Sequence, residues 1–423
     1  MTNVYIESYG CSASQSDAEM IAGLLKQASF NIVKDEKQAD LTILVTCYVK
    51  TPTEQKILFR INQLCSKKLI IAGCMPEGIY SKIRKIAPDA SLVSTHHVKS
   101  IVEAAEKTLQ GKRIEFLGKS EEVKLCLPRI RKNPVIDIVP ISSGCNSTCS
   151  YCCVRFAKGK LFSYSKEMII NEIKFALKDG CKEIWLTAQD TASYGFDGKE
   201  RLPQLLKEIT KISQDFFVRI GMMNIKNVIP IVSNLVEAFK DKKIYKFIHL
   251  PIQSGSDKIL ADMNRGYTVS QFEKVINLFK PLRCQTWSDI IVGYPTENEE
   301  DFEKTINIIK KITPDWVNVS KFGSRPGTEA SKLKSLSPKV VNERSEIISD
   351  IVRKISLEKN KEWIGWKGDI LISERGKNNN QWIGRNFAYK PVLITSKEDC
   401  LGKMKEVEIV ESMKSHLLGE CIN

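Results

Sequence analysis

The chain has 423 residues, of which 42% are hydrophobic and 27% charged, a balance typical of a globular protein with two or three domains. Its net charge of +14 favours an anionic partner, usually nucleic acid, although a lysine surplus that only solubilises the surface is the alternative. We find no apolar run of about eighteen residues and no secretory signal pattern, so we expect no membrane span and a cytoplasmic protein.

Strand and helix patterns alternate through residues 1–112 and predict an N-terminal α/β domain with a parallel sheet. The β-rich runs are residues 4–9, 41–46 and 69–72, and residues 17–30 have helical periodicity. Residues 113–134 are charged and contain two prolines, which is typical of a linker.

Six apolar runs alternate with helical patterns in the next part of the chain, which we assign to a domain over residues 131–361. The runs are residues 135–141, 183–187, 216–222, 246–251, 285–292 and 316–322. A closed eight-unit barrel needs about 250 residues, so six units predict an open (βα)6 barrel. An amphipathic pattern over residues 343–361 predicts its last helix.

Short β runs separated by turns follow in residues 362–423. One turn is Gly-Lys-Asn-Asn-Asn at 376–380, which fits between two strands. This last segment predicts a small all-β barrel.

Thirteen cysteines in a chain expected in a reducing compartment point to metal binding or catalysis rather than to disulfides. The strongest motif is Cys145, Cys149 and Cys152, which have the spacing C-x3-C-x2-C directly after the first predicted barrel strand. Three thiolates in one short loop can hold three corners of a [4Fe–4S] cluster and leave one iron open. The alternative is zinc, which normally takes four ligands from paired motifs, and no second pair follows closely.

A second set consists of Cys11, Cys47 and Cys74, each of which directly follows a predicted strand. Because parallel strands end at one edge of a sheet, these three distant residues are expected to converge there. Three thiolates again suggest a cluster with one open iron. The alternative is a coincidence of buried thiols at strand ends.

The segment GCNSTCSYCC at 144–153 resembles the cluster motif of the radical S-adenosylmethionine superfamily. The cysteines of an N-terminal domain, the barrel and a small β domain together resemble the methylthiotransferase family over nearly the whole chain. Residues 5–25, YIESYGCSASQSDAEMIAGLL, resemble its archaeal and eukaryotic branch. Further matching segments are LTAQDTASYG, RIGMMN, HLPIQSGSDKIL, DIIVGYPTENEEDFE and FGSRPGTEA. The segment KGKLFSYS at 158–165 departs from the family pattern, which usually has Arg-Gly-Arg here.

The resemblance implies a radical enzyme that methylthiolates C2 of N6-threonylcarbamoyladenosine next to the anticodon of tRNA. It implies two [4Fe–4S] clusters, one on each cysteine set, and two molecules of S-adenosylmethionine per turnover. It also implies a sulfur source, an electron donor and a C-terminal TRAM domain that binds RNA, and we expect a monomer. The alternative substrates are another tRNA adenosine derivative or an aspartate of a ribosomal protein. The alternative class is a non-enzymatic RNA-binding protein whose fold is stabilised by bound metal.

The resemblance also implies roles for other residues. Tyr151 occupies a position that is usually aromatic and lies near the adenine of the cofactor. Gln189 and Asp190 end the second barrel strand, where they are expected to face S-adenosylmethionine or the target base. The candidates for substrate contact are Arg219, His249, Gln253, Ser254 and Arg325, for which structural hydrogen bonding inside the barrel is the alternative.

For RNA binding we expect contributions from two regions. Residues 119–166 hold nine Lys or Arg against three acids. The C-terminal domain is balanced in charge, so we expect it to act through placed groups such as Arg385, Tyr389 and Lys390. Cys153 follows the last cysteine of the cluster motif and is not part of it, so we expect its side chain to pack in the protein interior.

Overall fold

The computed structural model describes residues 1–422, so Asn423, the last residue of the predicted C-terminal domain, lies outside the described residues. Three β structures follow one another along the chain: a parallel sheet, an open barrel and a small closed barrel. Within residues 1–422 no helix combines the length and the apolar character needed to cross a membrane.

The first structure is a six-stranded parallel sheet in the order β2-β1-β3-β4-β5-β6. Its strands are β1 (Asn3–Ser8), β2 (Asn31–Val33), β3 (Leu41–Thr46), β4 (Leu69–Gly73), β5 (Ser91–Ser94) and β6 (Glu115–Phe116). Its helices are α1 (Ser12–Gln27), α2 (Thr51–Leu64), α3 (Met75–Gly78), α4 (Tyr80–Ile86) and α5 (Ile101–Leu109).

Helices cover this sheet on both faces, which explains why its central strands are continuous apolar runs. Every residue of β3 is buried. Because side chains alternate along a strand, Ile43 packs with α1 and α5 while Leu44 packs with α2 on the other face.

The second structure consists of two three-stranded parallel sheets, β11-β10-β7 and β12-β13-β14. They adjoin where Val218 N donates to the Lys243 carbonyl at 2.7 Å and Tyr245 N donates to the Val218 carbonyl at 3.0 Å. The strands β7 and β14 lie at the two free edges, so the predicted open six-stranded barrel is confirmed.

Its strands are β7 (Ile136–Pro140), β10 (Glu183–Thr187), β11 (Phe217–Ile220), β12 (Phe247–His249), β13 (Gln285–Val292) and β14 (Trp316–Lys321). A short ribbon of β8 (Ser142–Ser143) and β9 (Phe162–Ser163) follows β7. The helices are α6 (Val154–Lys158), α7 (Lys166–Lys178), α8 (Leu202–Thr210), α9 (Ile225–Val228), α10 (Val232–Ala238), α11 (Asp257–Asp262), α12 (Val269–Phe279), α13 (Glu299–Ile312) and α14 (Pro338–Lys361).

The sequence around α13 contains an N-terminal cap and a charge pattern that favour a helix there. Asn298 caps α13 in a reciprocal capping box with Asp301, and acids fill the first turn while Lys310 and Lys311 lie in the last. The charges complement the helix dipole, and the cap satisfies amides that would otherwise lack partners.

The third structure is a closed barrel in the order β15-β16-β17-β19-β18. Its strands are β15 (Lys367–Arg375), β16 (Gln381–Arg385), β17 (Pro391–Thr395), β18 (Met404–Ser412) and β19 (Leu417–Cys421). Tyr389 packs against Tyr245 and Phe247 at the start of β12, and Leu371 packs with Ile136 and Ile138 of β7. The small barrel therefore lies at the amino ends of the (βα)6 strands.

The segment 113–134, which we predicted to be a linker, connects the two domains and packs against both. It adds β6 to the N-terminal sheet, and the Ile130 amide donates to the Glu19 carbonyl at 3.0 Å. Arg129 forms a buried ion pair with Glu172 at 2.7 Å. The charges that suggested a linker are therefore largely matched by partners inside the fold.

Candidate active site with two convergent cysteine sets

Cys145, Cys149 and Cys152 lie in the loop between β8 and β9, beyond the carboxyl end of β7. Burial raises the pKa of Cys152 to about 12, and the neighbouring Cys149 adds to the rise. Burial also raises the pKa of Cys145, and Cys149 adds again. The three sulfur atoms therefore lie within electrostatic reach of one another, as ligands of one group must.

Arg265, which sequence reasoning missed, holds this loop from the segment after α11. Its Nη1 donates to Cys149 Sγ at 3.2 Å and to the Tyr151 hydroxyl at 3.3 Å, and its Nη2 donates to Asn224 Oδ1 at 3.2 Å. One guanidinium group thus fixes the position of the sulfur and of the neighbouring ring. The signal in the sequence was the arginine in MNRGY at 263–267.

Cys11, Cys47 and Cys74 follow β1, β3 and β4, which are neighbours in the sheet. Burial raises the pKa of Cys47 to about 12, and Cys11 and Cys74 contribute to the rise. Gly10 has φ +114°, and a Cβ there would lie 2.5 Å from Cys47 Cβ. Glycine therefore permits the close approach of the first two cysteine loops.

The donor chemistry of both sets fits an iron–sulfur cluster. Each set offers three cysteine sulfurs in a loop or at the ends of parallel strands. Among residues 1–422 no three His, Cys, Asp or Glu side chains lie close enough to hold a single metal ion. A cube-shaped cluster takes its thiolates at separate corners, so it needs a wider arrangement.

The two sets face each other across the interface between the domains. The Tyr48 hydroxyl, next to Cys47, donates to the Cys153 carbonyl, next to Cys152, at 2.8 Å. Cys153 is 2% exposed and packs in the same apolar cluster as Cys74. The side chain of Cys153 thus packs between the domains.

A cavity of about 900 Å³ opens beside this interface. Its wall includes Lys50 from the N-terminal domain, Tyr151 and Cys152 from the cysteine loop, and residues at the carboxyl ends of β13 and β14. Among the predicted residues, Gln253 and Arg325 also contribute. The cavity therefore offers room for a cofactor and a substrate next to the cysteine loop.

Arg325 has two functions in this wall. Its Nη1 forms a buried ion pair with Glu54 of α2, which ties the barrel to the N-terminal domain. Its Nη2 is buried and finds no hydrogen-bond acceptor among the described residues. Gln253 Oε1 is likewise buried without a donor in the described part of the chain.

Asp190 and Ser254 are engaged inside the protein. Asp190 Oδ1 accepts from the Ala192 and Asn224 amides at 3.1 and 3.0 Å, and Oδ2 accepts from Asn227 Nδ2 at 2.7 Å. Ser254 Oγ accepts from the Ser256 amide at 3.2 Å. Gln189 Oε1 is buried and has no donor within residues 1–422. Gln189 and Asp190 thus lie just beyond the end of β10, which is Thr187, and only Gln189 has a side-chain oxygen without a donor in the described residues.

Arg219 and His249 lie on β11 and β12. The guanidinium of Arg219 packs 5.2 Å from the Trp185 ring, 5.1 Å from Phe247 and 5.5 Å from Tyr389. His249 Nε2 pairs with Asp289 Oδ2 at 3.0 Å. Burial opposes ionisation of Asp289, but hydrogen bonds from His249 and Asn318 outweigh it and lower its pKa.

The structure overturns our expectation that Tyr389 and Lys390 contact RNA. Both are nearly fully buried against the larger barrel, and Lys390 Nζ pairs with Asp315 Oδ1 at 2.8 Å. Arg385 is engaged with Glu374 at 2.9 Å and with the Tyr389 ring. These groups hold the small barrel in place.

A groove of about 700 Å³ between the two barrels offers other groups to a ligand. Two indole rings, Trp287 and Trp316, line it from the (βα)6 barrel. Exposed Lys377 and Lys414 line it from the small barrel. Aromatic faces beside lysines suit a single-stranded nucleic acid.

Comparisons with known proteins agree with this arrangement. A model of the Radical SAM superfamily matches residues 139–309, and one of the uncharacterized protein family UPF0004 matches residues 3–95. Each matched region contains one cysteine set. The structure is similar to the radical S-adenosylmethionine methyltransferase TsrM from Kitasatospora setae, with a TM-score of 0.57 at 12% identity over 78% of this chain and 75% of that one. At this identity the likeness shows the fold alone.

Curated relatives match over the full length. The probable threonylcarbamoyladenosine tRNA methylthiotransferase of Methanothermobacter thermautotrophicus is 40% identical over 99% of both chains. The relative of that name from Pyrococcus abyssi is 40% identical over 100% of both. The threonylcarbamoyladenosine tRNA methylthiotransferase of Homo sapiens is 31% identical over 99% of this chain and 74% of its own. The chain therefore belongs to the radical S-adenosylmethionine methylthiotransferase family, in its archaeal and eukaryotic threonylcarbamoyladenosine tRNA methylthiotransferase branch.

Proposed function

We propose that this enzyme transfers a methylthio group to C2 of N6-threonylcarbamoyladenosine, next to the anticodon of tRNA. The observation that carries the proposal is the pair of three-cysteine sets, on separate domains, that face each other beside one cavity. The substrate follows from the full-length relatives, which carry this activity in their names.

The chemistry explains why such an enzyme needs two metal groups. The C2–H bond of adenine is far too weak an acid for a side-chain base, so the carbon must be activated by a cofactor. When bound, a [4Fe–4S] cluster on Cys145, Cys149 and Cys152 supplies the electron that cleaves S-adenosylmethionine, and a second on Cys11, Cys47 and Cys74 carries the sulfur. Two molecules of S-adenosylmethionine, an external electron donor and a sulfur source complete the requirements.

The protein supplies position and charge. Arg265 fixes the Cys149 sulfur and the Tyr151 ring by hydrogen bonds from one guanidinium nitrogen. The interface anchored by Arg325 and Glu54 keeps the two cysteine sets facing each other. The cavity beside them keeps the reacting groups in a shaped site, where orientation contributes most to the rate.

The threonylcarbamoyl group carries a carboxylate, for which a guanidinium is the favoured partner. Arg325 Nη2, buried in the cavity wall, lacks an acceptor in the described residues. Arg219 Nε is also buried without an acceptor in the described residues, but its guanidinium packs among three aromatic rings that include Tyr389 of the small barrel. Arg325 lines the cavity and Arg219 does not, so Arg325 is the better placed of the two to bind this group. We propose that the enzyme acts as a cytoplasmic monomer.

Mass spectrometry of tRNA nucleosides tests this function. We expect cells that lack the gene to lose the methylthio form of threonylcarbamoyladenosine and to accumulate the unmodified nucleoside. Wild-type complementation should restore the product, whereas a variant with Cys145, Cys149 and Cys152 changed to alanine should not. If the product persists in these cells while another methylthio nucleoside, or a methylthio-aspartate in a ribosomal protein, disappears, the assigned substrate is wrong. The reaction class would still be methylthiolation.

The groove between the barrels leads to a prediction about RNA binding. Changing Lys377 and Lys414 to alanine should weaken tRNA binding and make it less dependent on salt, by about 1 in the log–log slope for each phosphate that a lysine no longer neutralises. Lys240→Ala is the matched control, because Lys240 is exposed on the surface just after α10 and pairs with Glu237. Filter binding at several salt concentrations measures both quantities, and equal slopes in the double variant and the control would exclude this surface.

A further inference from the structure

Four buried polar residues lie beside the Cys11, Cys47 and Cys74 set: Asp17, Thr95, Lys124 and Lys158. All four are less than 10% exposed. Lys124 Nζ lies 2.7 Å from Asp17 Oδ1 and 2.9 Å from Thr95 Oγ1. Lys158 Nζ lies 2.5 Å from Thr95 Oγ1 but 3.9 Å from Asp17 Oδ2. The group thus contains two ammonium ions and one carboxylate.

The ammonium group of Lys124 is closer to the Asp17 carboxylate than that of Lys158. The positive charge of Lys158 is therefore only partly balanced by this carboxylate. A further acid in this region, Glu122, accepts from the Val98 and Lys99 amides at 2.9 and 3.2 Å instead. Burying an ammonium ion without a full counter-ion is strongly unfavourable, because the protein interior does not replace its hydration. The excess charge therefore requires an anion that is not among the carboxylates.

The cysteine set supplies the nearest candidate. Thr95, whose hydroxyl lies 2.5 Å from Lys158 Nζ, donates its amide to the carbonyl of Gly73 at 3.0 Å, and Gly73 directly precedes Cys74. Asp17, the carboxylate of the group, lies on α1, which begins directly after Cys11. Lys158 ends α6, directly after the cysteine loop of the barrel, so it enters the N-terminal domain from the other side of the interface.

We propose that Lys158 is the counter-ion of the cluster bound by Cys11, Cys47 and Cys74. This inference rests on the proposed second cluster. A [4Fe–4S] core with two positive charges and three thiolate ligands carries one net negative charge, and one unmatched lysine balances it. The segment that departs from the family pattern thus contributes a positioning residue rather than an RNA contact.

The charge balance predicts opposite effects of one substitution in two states of the protein. In the cluster-free protein no cluster charge faces Lys158, so Lys158→Met removes an ammonium ion that lacks a full counter-ion and leaves Asp17 and Lys124 as a balanced pair. In the loaded protein the same substitution leaves the cluster without its counter-ion, which costs free energy. We therefore expect Lys158→Met to leave the thermal stability of the cluster-free chain unchanged or raised, and to lower that of the loaded chain.

The cluster itself gives a second readout. In a full-length chain with Cys145, Cys149 and Cys152 changed to alanine, only the second cluster forms. Its midpoint potential, followed by electron paramagnetic resonance, should become more negative in Lys158→Met, because a nearby positive charge favours the reduced cluster. Lys158→Arg should keep the potential close to that of the parent chain.

The matched control is Lys390→Met, since Lys390 is also buried and pairs with Asp315 between the two barrels, not beside Cys11, Cys47 and Cys74. It should destabilise both states alike and leave the potential unchanged. Equal destabilisation of both states by Lys158→Met, failure of its cluster-free form to fold, or an unchanged potential would overturn the inference while the second cluster stands. A parent chain that binds no iron would overturn the proposed second cluster and the inference with it.

Discussion

Replacing Cys145, Cys149 and Cys152 together by alanine is expected to abolish reductive cleavage of S-adenosylmethionine. Under anaerobic reconstitution the wild-type chain should hold about eight irons and this variant about four. The physical reason is that no other cysteine replaces the three in this loop: Cys153 is buried between the domains, with its side chain in an apolar cluster. Iron analysis and the yield of 5′-deoxyadenosine measure the two effects.

The complementary variant separates the two sites. Changing Cys11, Cys47 and Cys74 to alanine should also remove about half of the iron but leave cleavage intact, since Arg265 and the barrel loop are unchanged. Cys153→Ala is the control and should retain all of the iron. Cleavage that survives the first triple change, or wild-type protein with only about four irons, would contradict the assignment of two clusters.

The convergence of Cys11, Cys47 and Cys74 was predictable because it follows from local pattern and topology. Each cysteine ends a recognisable strand run, and the carboxyl ends of parallel strands share one edge. The barrel was predictable for the same reason, since its six strands alternate with helices along the chain. The C-x3-C-x2-C motif directly follows the first barrel strand in the sequence. Its position in the loop after β7 could therefore be predicted without information on contacts between distant residues.

Contacts between distant segments were not predictable in this way. Arg265 reaches Cys149 across 116 residues, and Lys158 reaches Thr95 across 63. In the sequence, Lys158 and Lys390 have the appearance of solvated basic residues. Their partners, Asp17 and Asp315, lie on other domains, so only the packed structure shows that these charges are internal.

A single added methyl group in the cysteine loop should have an effect comparable to the loss of its ligands. Gly144 precedes Cys145 and has φ +75°, and a Cβ there would overlap the Lys160 carbonyl oxygen. Because that oxygen belongs to the backbone next to β9, Gly144→Ala must move the two ends of the loop apart. The left-handed conformation adds about 1–2 kcal/mol of strain for a residue with a side chain.

We expect Gly144→Ala to lose most of the barrel iron and most cleavage of S-adenosylmethionine while the iron of the second set stays. Gly111→Ala isolates the strain from the overlap, since Gly111 has φ +78° and no atom of residues 1–422 lies within 4 Å of an added Cβ. This control should lose only about 1–2 kcal/mol of stability and keep all of its iron. Equal iron contents in the two variants after reconstitution would contradict this prediction. They would show that the loop can shift to relieve the overlap between residue 144 and Lys160 and still bind its cluster.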